Sequence, residues 1–417
     1  MKICHVSASD SGGGAARAAF RLHMALQESG FSSIMQVAVK HTDELGVCGP
    51  SGRIEKAVAA VRPVIDQFLC KINNSNLSAY RSLNFLPSTL LKRKSVGSAD
   101  VINLHWLGGG SVSIGQLGEI DRPCVWTLHD MWPFCGAEHL APDSPVARWR
   151  NGYPHLKNLA DRPGVDFDRL IWMWKKRTWR RPIPLIAPSN WLARCIRQSS
   201  LMKDWPVFVV PNVLDTSRFR PVPKKTARSL LNLPPDIPLV LFGAMGGGRD
   251  PNKGWDLLHS ALLELSSTIS GIECVVFGQS KPADSPCVGM PVHWLGHLHD
   301  DVTLNLVYSA ADVMVVPSRQ ENLPQSGTEA HSCGCPVVAF DVAGLPDVVE
   351  HQVTGYLAAA YDSSDLANGI RWVLEDDDRY SRMCLAARDR AVNRWSPAAV
   401  VPQYLNVYEQ TIDSWIS

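Results

Sequence analysis

The sequence predicts an α/β protein made of two doubly wound parallel-sheet domains in tandem. Three observations carry this. Short apolar runs that end in polar residues alternate with amphipathic stretches, the alternation runs through the chain twice, and the proline-rich segment "RPVPKKTARSLLNLPPDIP" (220–238) divides the two series. At 417 residues the chain exceeds one ordinary core, and two units of roughly 200 residues are expected.

The first series opens with "KICHV", a short buried strand. A glycine loop and an amphipathic helix follow in "GGGAARAAFRLHMALQESG", with Gly30 placed to end the helix. "SIMQVAV" completes a strand–loop–helix–strand unit, the signature of parallel pairing. "DVINLHW" (100–106), "PCVWTLHD" (123–130), "IPLIAPS" (183–189) and "WPVFVVPN" (205–212) continue the rhythm. Ligands of open α/β sheets bind beyond the carboxyl ends of strands, where His105, Trp106, His129 and Asp130 fall. The second series starts with "PLVLFGA" and the helix "GWDLLHSALLEL". The strands "ECVVFGQ", "VHWLG", "DVMVVPS", "PVVAFD" and "GYLA" follow, with helices between them. Domains are expected at 1–220 and 221–396, with a last helix, 397–417, folding back onto the first.

Hydrophobic content of 45% and charged content of 19% describe a globular chain. A net charge of +1 gives no global attraction to phosphate backbones and excludes a dedicated nucleic-acid binder. The eleven cysteines include no CxxC pair, and Cys333 and Cys335 are one residue apart, so neither zinc nor a disulfide framework is expected. Free thiols in a reducing cytoplasm fit that count. The start "MKICHVSASDSGGG" is not a signal peptide, and no run of about 18 apolar residues occurs. The stretch 169–181 interleaves Trp172, Trp174 and Trp179 with Lys175, Lys176, Arg177, Arg180 and Arg181. It suits a helix lying on anionic lipid at the inner face of the cell membrane, or a surface helix with tryptophans inward and cations in water.

Three loops carry the chemistry. In "SDSGGGAARAA", Gly12, Gly13 and Gly14 let backbone approach an anion at a helix start; the other reading is a tight turn. A dinucleotide fingerprint is excluded, because Arg17 stands at the third glycine position and Lys40 where an acid is needed. In "GAMGGGRDPNKGWDLL", Arg249 and Lys253 form a diphosphate clamp or a solvated basic loop. Gly254 and Trp255 after the lysine exclude a Walker A loop. In "PSRQENLPQSGTEAHSCGCPVVAF", Glu321 lies in the loop and Glu329 about one turn into a helix. Pro324 is expected in that helix's first turn and Gly334 at its end. A carboxylate repels phosphate but accepts hydrogen bonds from hydroxyls. Two carboxylates around an anion-binding helix start therefore suggest hydroxyls on both sides of a diphosphate, the form of a nucleotide sugar. The alternative is that they only stabilise the helix start. The run Asp376–Asp378 reads as a solvated turn rather than a metal motif.

The segment "RQENLPQSGTEAHSCGCPVVAFDVAGLPDVV" resembles the E-x7-E region of retaining GT-B glycosyltransferases of family 4. "GGGAARAA", "VINLHW", "APSNWLA", "VVPNVLDTSRFRP" and "NKGWDLL" occur in the order that family has, and "WTLHDMWPF" resembles its exopolysaccharide, capsule and colanic-acid branch. The resemblance implies two Rossmann-like domains facing a central cleft, an acceptor-side first domain and a nucleotide-sugar-binding second. It implies that Glu329 binds ribose, Glu321 the donor sugar, and the backbone of Asn322, Leu323 and Pro324 the sugar and phosphate. Lys253 with Arg249 neutralises the diphosphate, Gly13 and Gly14 approach it, the loop near His297 meets the base, and His129 lies by the reacting carbon. His105, Trp106 and Asp130 belong to the acceptor side. No metal and no cofactor are implied, and no dedicated base. A UDP-hexose donor and a saccharide or lipid-linked oligosaccharide acceptor follow from the branch. A sugar-nucleotide epimerase or hydrolase, or a non-catalytic donor-binding protein, are the alternatives. Three departures stand out: Gly248 occupies the family's usual arginine position, Asn322-Leu323-Pro324 replaces a common Phe-Gly, and 135–160 holds only Cys135.

Overall fold

A computed structural model describes residues 1–73, 80–155, 165–243, 250–283, 287–298 and 300–416. The chain divides into two compact units, Met1–Val213 with Val400–Ser417, and Leu214–Ala399.

The first unit holds β1 (Lys2–Ser9), β2 (Ser32–Val39), β3 (Val47–Cys48), β4 (Val101–Leu104), β5 (Cys124–Thr127), β6 (Leu185–Ala187) and β7 (Val207–Val209). They form one sheet in the order β3-β2-β1-β4-β5-β6-β7, every pair parallel. The second holds β8 (Leu239–Gly243), β9 (Glu273–Phe277), β10 (Val292–Trp294), β11 (Val313–Val316), β12 (Val337–Phe340) and β13 (Gly355–Ala358). Their order is β10-β9-β8-β11-β12-β13, again all parallel. Both are Rossmann-like sheets. The central strands β4, β5, β11 and β12 are buried at every position, as parallel strands covered on both faces must be. The strand order reverses at β1/β4 in the first sheet and at β8/β11 in the second, and these switch points are where ligand-binding crevices open.

The Pro397–Ile416 helix returns to the first sheet. Val400, Val401, Tyr404, Val407 and Tyr408 pack with Ile3, Val101, Val125 and Ile186 of the strands and Leu22 and Leu26 of the Gly14–Glu28 helix. Asn103 of β4 donates to the Tyr408 hydroxyl at 2.7 Å and accepts from Thr127 at 3.0 Å, so one buried polar chain ties two strands to the last helix.

Two expectations need correction. In helix Phe167–Thr178 and after it Trp172 and Trp179 turn inward and Lys176, Arg177, Arg180 and Arg181 face water, but one cation departs from that division: Lys175 is buried with the tryptophans. Spacings of three and four residues put them on one face. Lys175 donates to the carbonyls of Trp132, Cys135 and Gly136, and its ammonium lies 3.8 Å from the centre of the Trp132 ring. Burial brings its pKa down to about 7. Trp174 stays half-buried and Lys176, Arg177, Arg180 and Arg181 exposed. Second, Pro324 precedes the Gln325–Ser332 helix rather than opening it, while Gly334 follows with φ +75°. Asp376 accepts from the Arg379 N–H and so caps the Asp377–Trp395 helix, an assigned structural role for that acidic run.

Replacing Tyr408 by Phe removes the acceptor of a buried amide and keeps the apolar packing. We expect a loss of about 1–3 kcal/mol in the first unit, read as a lowered urea midpoint; an unchanged midpoint would show that Asn103 finds another partner.

Candidate functional site: two switch points

In the first unit, the loop 10–13 leaves β1 toward the Gly14–Glu28 helix. Asp10 anchors it, accepting from the backbone of His41 and Thr42 and from the Thr42 hydroxyl at 2.7–2.9 Å. Gly12 has φ +91° and so needs glycine. Gly13 does not: its backbone is extended (φ −168°), and a Cβ there would meet nothing within 4 Å. Packing does not explain that glycine, whereas open space over a helix start suits an anion. Gly14 is the first residue of the helix.

His105 follows β4 and His129 follows β5, and neighbouring strands bring them together. A chain of imidazoles runs from His5 on β1: His5 Nδ1 lies 2.9 Å from His105 Nε2, and His105 Nδ1 lies 3.0 Å from His129 Nε2. His5 Nε2 is buried without a hydrogen-bond partner. An orphaned N–H is rarer than an orphaned acceptor, so that nitrogen carries the lone pair. His5 then donates to His105, His105 donates to His129 Nε2, and the His129 proton resides on Nδ1. Burial holds His5 and His105 well below the usual imidazole range, and brings His129 to about 4 although Asp130 opposes the shift. His129 is a neutral imidazole at pH 7 whose Nε2 is already occupied as an acceptor.

Trp106 and Asp130 also meet. Asp130 Oδ2 accepts from Trp106 Nε1 at 2.7 Å and pairs with His139 Nδ1 at 2.6 Å, and Oδ1 accepts from the Trp132 N–H. Burial alone would raise this carboxyl; His139 overrides it and holds Asp130 below the usual range. His139 continues to Ser82 Oγ at 2.7 Å. The order Ser–His–Asp resembles a hydrolase triad, but Ser82 is fully buried and its oxygen accepts from the Gly109 N–H. The network therefore orients Trp106, whose ring lies half-buried beside the exposed Tyr80 at 6.0 Å. His139 and Ser82 escaped the sequence reading because neither belongs to a motif.

In the second unit, Lys253 follows β8 and Glu321 follows β11, the two strands of the switch point. Lys253 Nζ donates to Glu321 Oε1 at 2.5 Å, and the carboxylate's charge raises the lysine pKa. Arg249, its expected partner, lies outside the described residues. The approach depends on residues that sequence reasoning missed. Gly254 has φ +66°, and a Cβ there would lie 1.9 Å from the Pro317 carbonyl oxygen. Asn252 donates to the Gln320 carbonyl at 2.8 Å and accepts from the Arg319 N–H at 2.8 Å. Gly344 donates its N–H to the Glu321 carbonyl at 2.8 Å, and a Cβ there would lie 1.6 Å from the Asn322 oxygen. The glycine of "DVAGLP" is the only sequence signal for this brace. Leu323 sinks its side chain into the core, leaving only its backbone for a ligand, and Asn322 is half-buried beside it.

Glu329 sits in the Gln325–Ser332 helix, 1% exposed, and accepts from the Tyr308 hydroxyl at 2.8 Å. His297 follows the edge strand β10, with β9 between it and β8, so it does not join the Lys253–Glu321 pair. Among the described residues no group of three or more His, Cys, Asp or Glu could hold a metal ion.

The histidine chain makes a stability prediction. Below about pH 6.5 the unfolded chain protonates His5, His105 and His129, while the fold keeps them neutral. Their stabilising contribution is complete above that pH and falls as pH drops toward about 4. We expect the urea midpoint to fall between about pH 7 and about pH 5, and less steeply in His105→Gln, whose amide does not titrate. Equal slopes would show that His105 protonates alike in both states.

Known proteins resemble this chain in sequence and in fold. The profile of Glycosyltransferase Family 4 matches residues 12–218, and that of Glycosyl transferases group 1 matches residues 239–376. A D-inositol 3-phosphate glycosyltransferase from Saccharomonospora viridis is 32% identical over 343 residues, covering 76% of this chain and 71% of that one. Sucrose-phosphate synthase from Thermosynechococcus elongatus superposes with TM-score 0.68 at 21% identity, covering 99% of this chain and all of that one. HepE of Anabaena in complex with UDP-glucose gives 0.64 at 18%, covering 98% and 100%. These structures share the GT-B fold, and the exopolysaccharide branch is not singled out by the curated relatives, which carry the inositol phosphate name. With both profiles in order along the chain and a relative matched over most of its length, the chain belongs to the family 4 glycosyltransferases of GT-B fold.

Proposed function

We propose that the protein transfers a hexose, with retention, from a UDP-sugar to a neutral saccharide or lipid-linked saccharide in cytoplasmic polysaccharide assembly, without a metal. The observation that carries this is the Lys253–Glu321 pair at the β8/β11 switch point. A diphosphate arriving there replaces Glu321 as the partner of Lys253. The freed carboxylate then accepts hydrogen bonds from sugar hydroxyls, and Glu329 does the same for ribose. Asn322 and Pro324 contribute backbone around the sugar, and Gly13 and Gly14 approach the phosphates. The edge loop at His297 receives the base.

In the transfer, the bond from the sugar's anomeric carbon to the β-phosphate oxygen breaks as the acceptor oxygen bonds to that carbon on the same face. The acceptor proton passes to the departing phosphate oxygen, and Lys253 and helix N–H groups stabilise the charge that develops there. His129, held neutral by its burial, positions the substrate instead of taking a proton. A UDP-hexose fits the fold that holds UDP-glucose in HepE. Trp106, whose indole donates to Asp130, and Tyr80 beside it supply apolar faces on which a sugar ring stacks.

The relatives' name favours a second reading, a phosphorylated polyol such as inositol 3-phosphate as acceptor. UDP release from a panel of UDP-hexoses, with saccharide or inositol 3-phosphate present, separates the two. Release only with saccharide supports the first reading, release with inositol phosphate the second, and release without any acceptor points to a hydrolase. Lys253→Ala and Glu329→Gln should each weaken UDP-sugar binding by roughly ten- to a hundredfold, the range for a hydrogen bond to a charged group. Unchanged affinity in both, measured by calorimetry, would remove the site assignment.

A further inference from the structure

The Arg53–Asn73 helix is held to the first unit along one side only. On that side Asp66 is buried and accepts from the N–H groups of Leu83 and Asn84, and Arg62 donates to the carbonyls of Pro87 and Gly110. On the other side Ile54 is 82% exposed, Val58 51%, Val61 50%, Ile65 39% and Phe68 63%. Steps of four, three, four and three residues align these five along one stripe of the helix, and Val64, 66% exposed, widens it. Phe85 and Leu86, exposed in the loop that Arg62 grips, extend the apolar surface.

An apolar stripe of this length on a water-facing helix marks an interaction surface. The charges say which kind. Arg53, Lys56 and Lys71 are exposed, and Arg53 and Lys71 lie at the same edge of the stripe, one near each end of the helix. The helix's Glu55 is paired with Arg93. A two-fold contact between copies through this stripe sets one helix against its twin, and antiparallel pairing would place Lys71 of each beside Arg53 of the other. Parallel pairing would put the two charged edges on opposite sides of the seam, against the edge whose Glu55 is already paired with Arg93. Neither arrangement gives Arg53 and Lys71 an acidic partner, whereas an anionic surface neutralises both. The helix lies along such a surface rather than through it, since no described helix is long and apolar enough to cross a membrane.

We propose that the Ile54–Phe68 stripe rests in the interface of an anionic lipid bilayer, its apolar side chains among the acyl chains and Arg53 and Lys71 at the headgroups. Trp174 of the stretch 169–181 stacks on Phe85 at the border of this surface, so the helix rather than that stretch alone supplies the apolar contact. The test is co-sedimentation of the full chain with vesicles of phosphatidylcholine alone or mixed with phosphatidylglycerol. No substrate is present, so the result is independent of the transferase reading. The mixed vesicles should bind the chain, and salt should weaken the binding. The Val61→Asp/Phe68→Asp double variant should bind about tenfold or more weakly, with an unchanged melting curve because both sites are exposed. Absence of binding to mixed vesicles, or equal binding by the variant, overturns the proposal. So does a dimer in analytical ultracentrifugation that the variant converts to monomer, which would assign the stripe to a second copy.

Discussion

Every strand in both sheets is parallel to its neighbours, so every strand-to-helix loop of a sheet leaves along the same edge. That constraint organises the chemistry of the molecule. The loops after β1, β4 and β5 gather Gly13, His105 and His129; those after β8 and β11 gather Lys253 and Glu321. No long-range design is needed beyond strand order, because the switch point in each sheet leaves room for a ligand between adjacent loops. The last helix serves the same end. Tyr408 reaches Asn103 on β4, and Asn103 accepts from Thr127 on β5, so the two strands that present His105 and His129 are locked below the site.

The sites at the two switch points follow opposite electrostatic principles. In the first, the histidine chain is held neutral next to an ionised Asp130: three imidazoles pass hydrogen bonds in one direction, and their burial keeps protons off. The second is built from full charges that satisfy each other across 2.5 Å. The lysine side chain is 30% exposed and the carboxylate 19%, so the two charges are screened less than a surface pair would be. On the reading proposed above, a diphosphate takes over from the carboxylate as the charged partner of Lys253.

The strands were legible because a parallel strand buried on both faces is a continuous apolar run, as "VINL", "CVWT" and "VMVV" are. The Glu321–Glu329 pair was legible as loop and helix because Pro324 and Gly334 bracket the helix. Other features depended on contacts distant in sequence. Gly344 supports Glu321 from more than twenty residues away, and no local pattern announces it. The imidazole chain needs the order β1-β4-β5, which brings His5 beside His105 across about one hundred residues. Lys175 is instructive because its spacing from Trp172 and Trp179 did carry the signal. A lysine three and four residues from two buried tryptophans must share their face, and only carbonyl ligands make that tolerable.

The same helical arithmetic applied to residues 53–68 shows where periodicity stops informing. Ile54, Val58, Val61, Ile65 and Phe68 have the spacing of a core-facing stripe, and the stripe faces away from the core. What decides the orientation is the opposite side: Asp66 and Arg62 find backbone partners in the loops 83–87 and 107–110, and those bonds hold the helix with its apolar face outward. Buried polar groups without partners are costlier than exposed apolar ones. The fold therefore satisfies Asp66 and Arg62 first, and the hydrophobic surface left in water is available to something other than the chain itself.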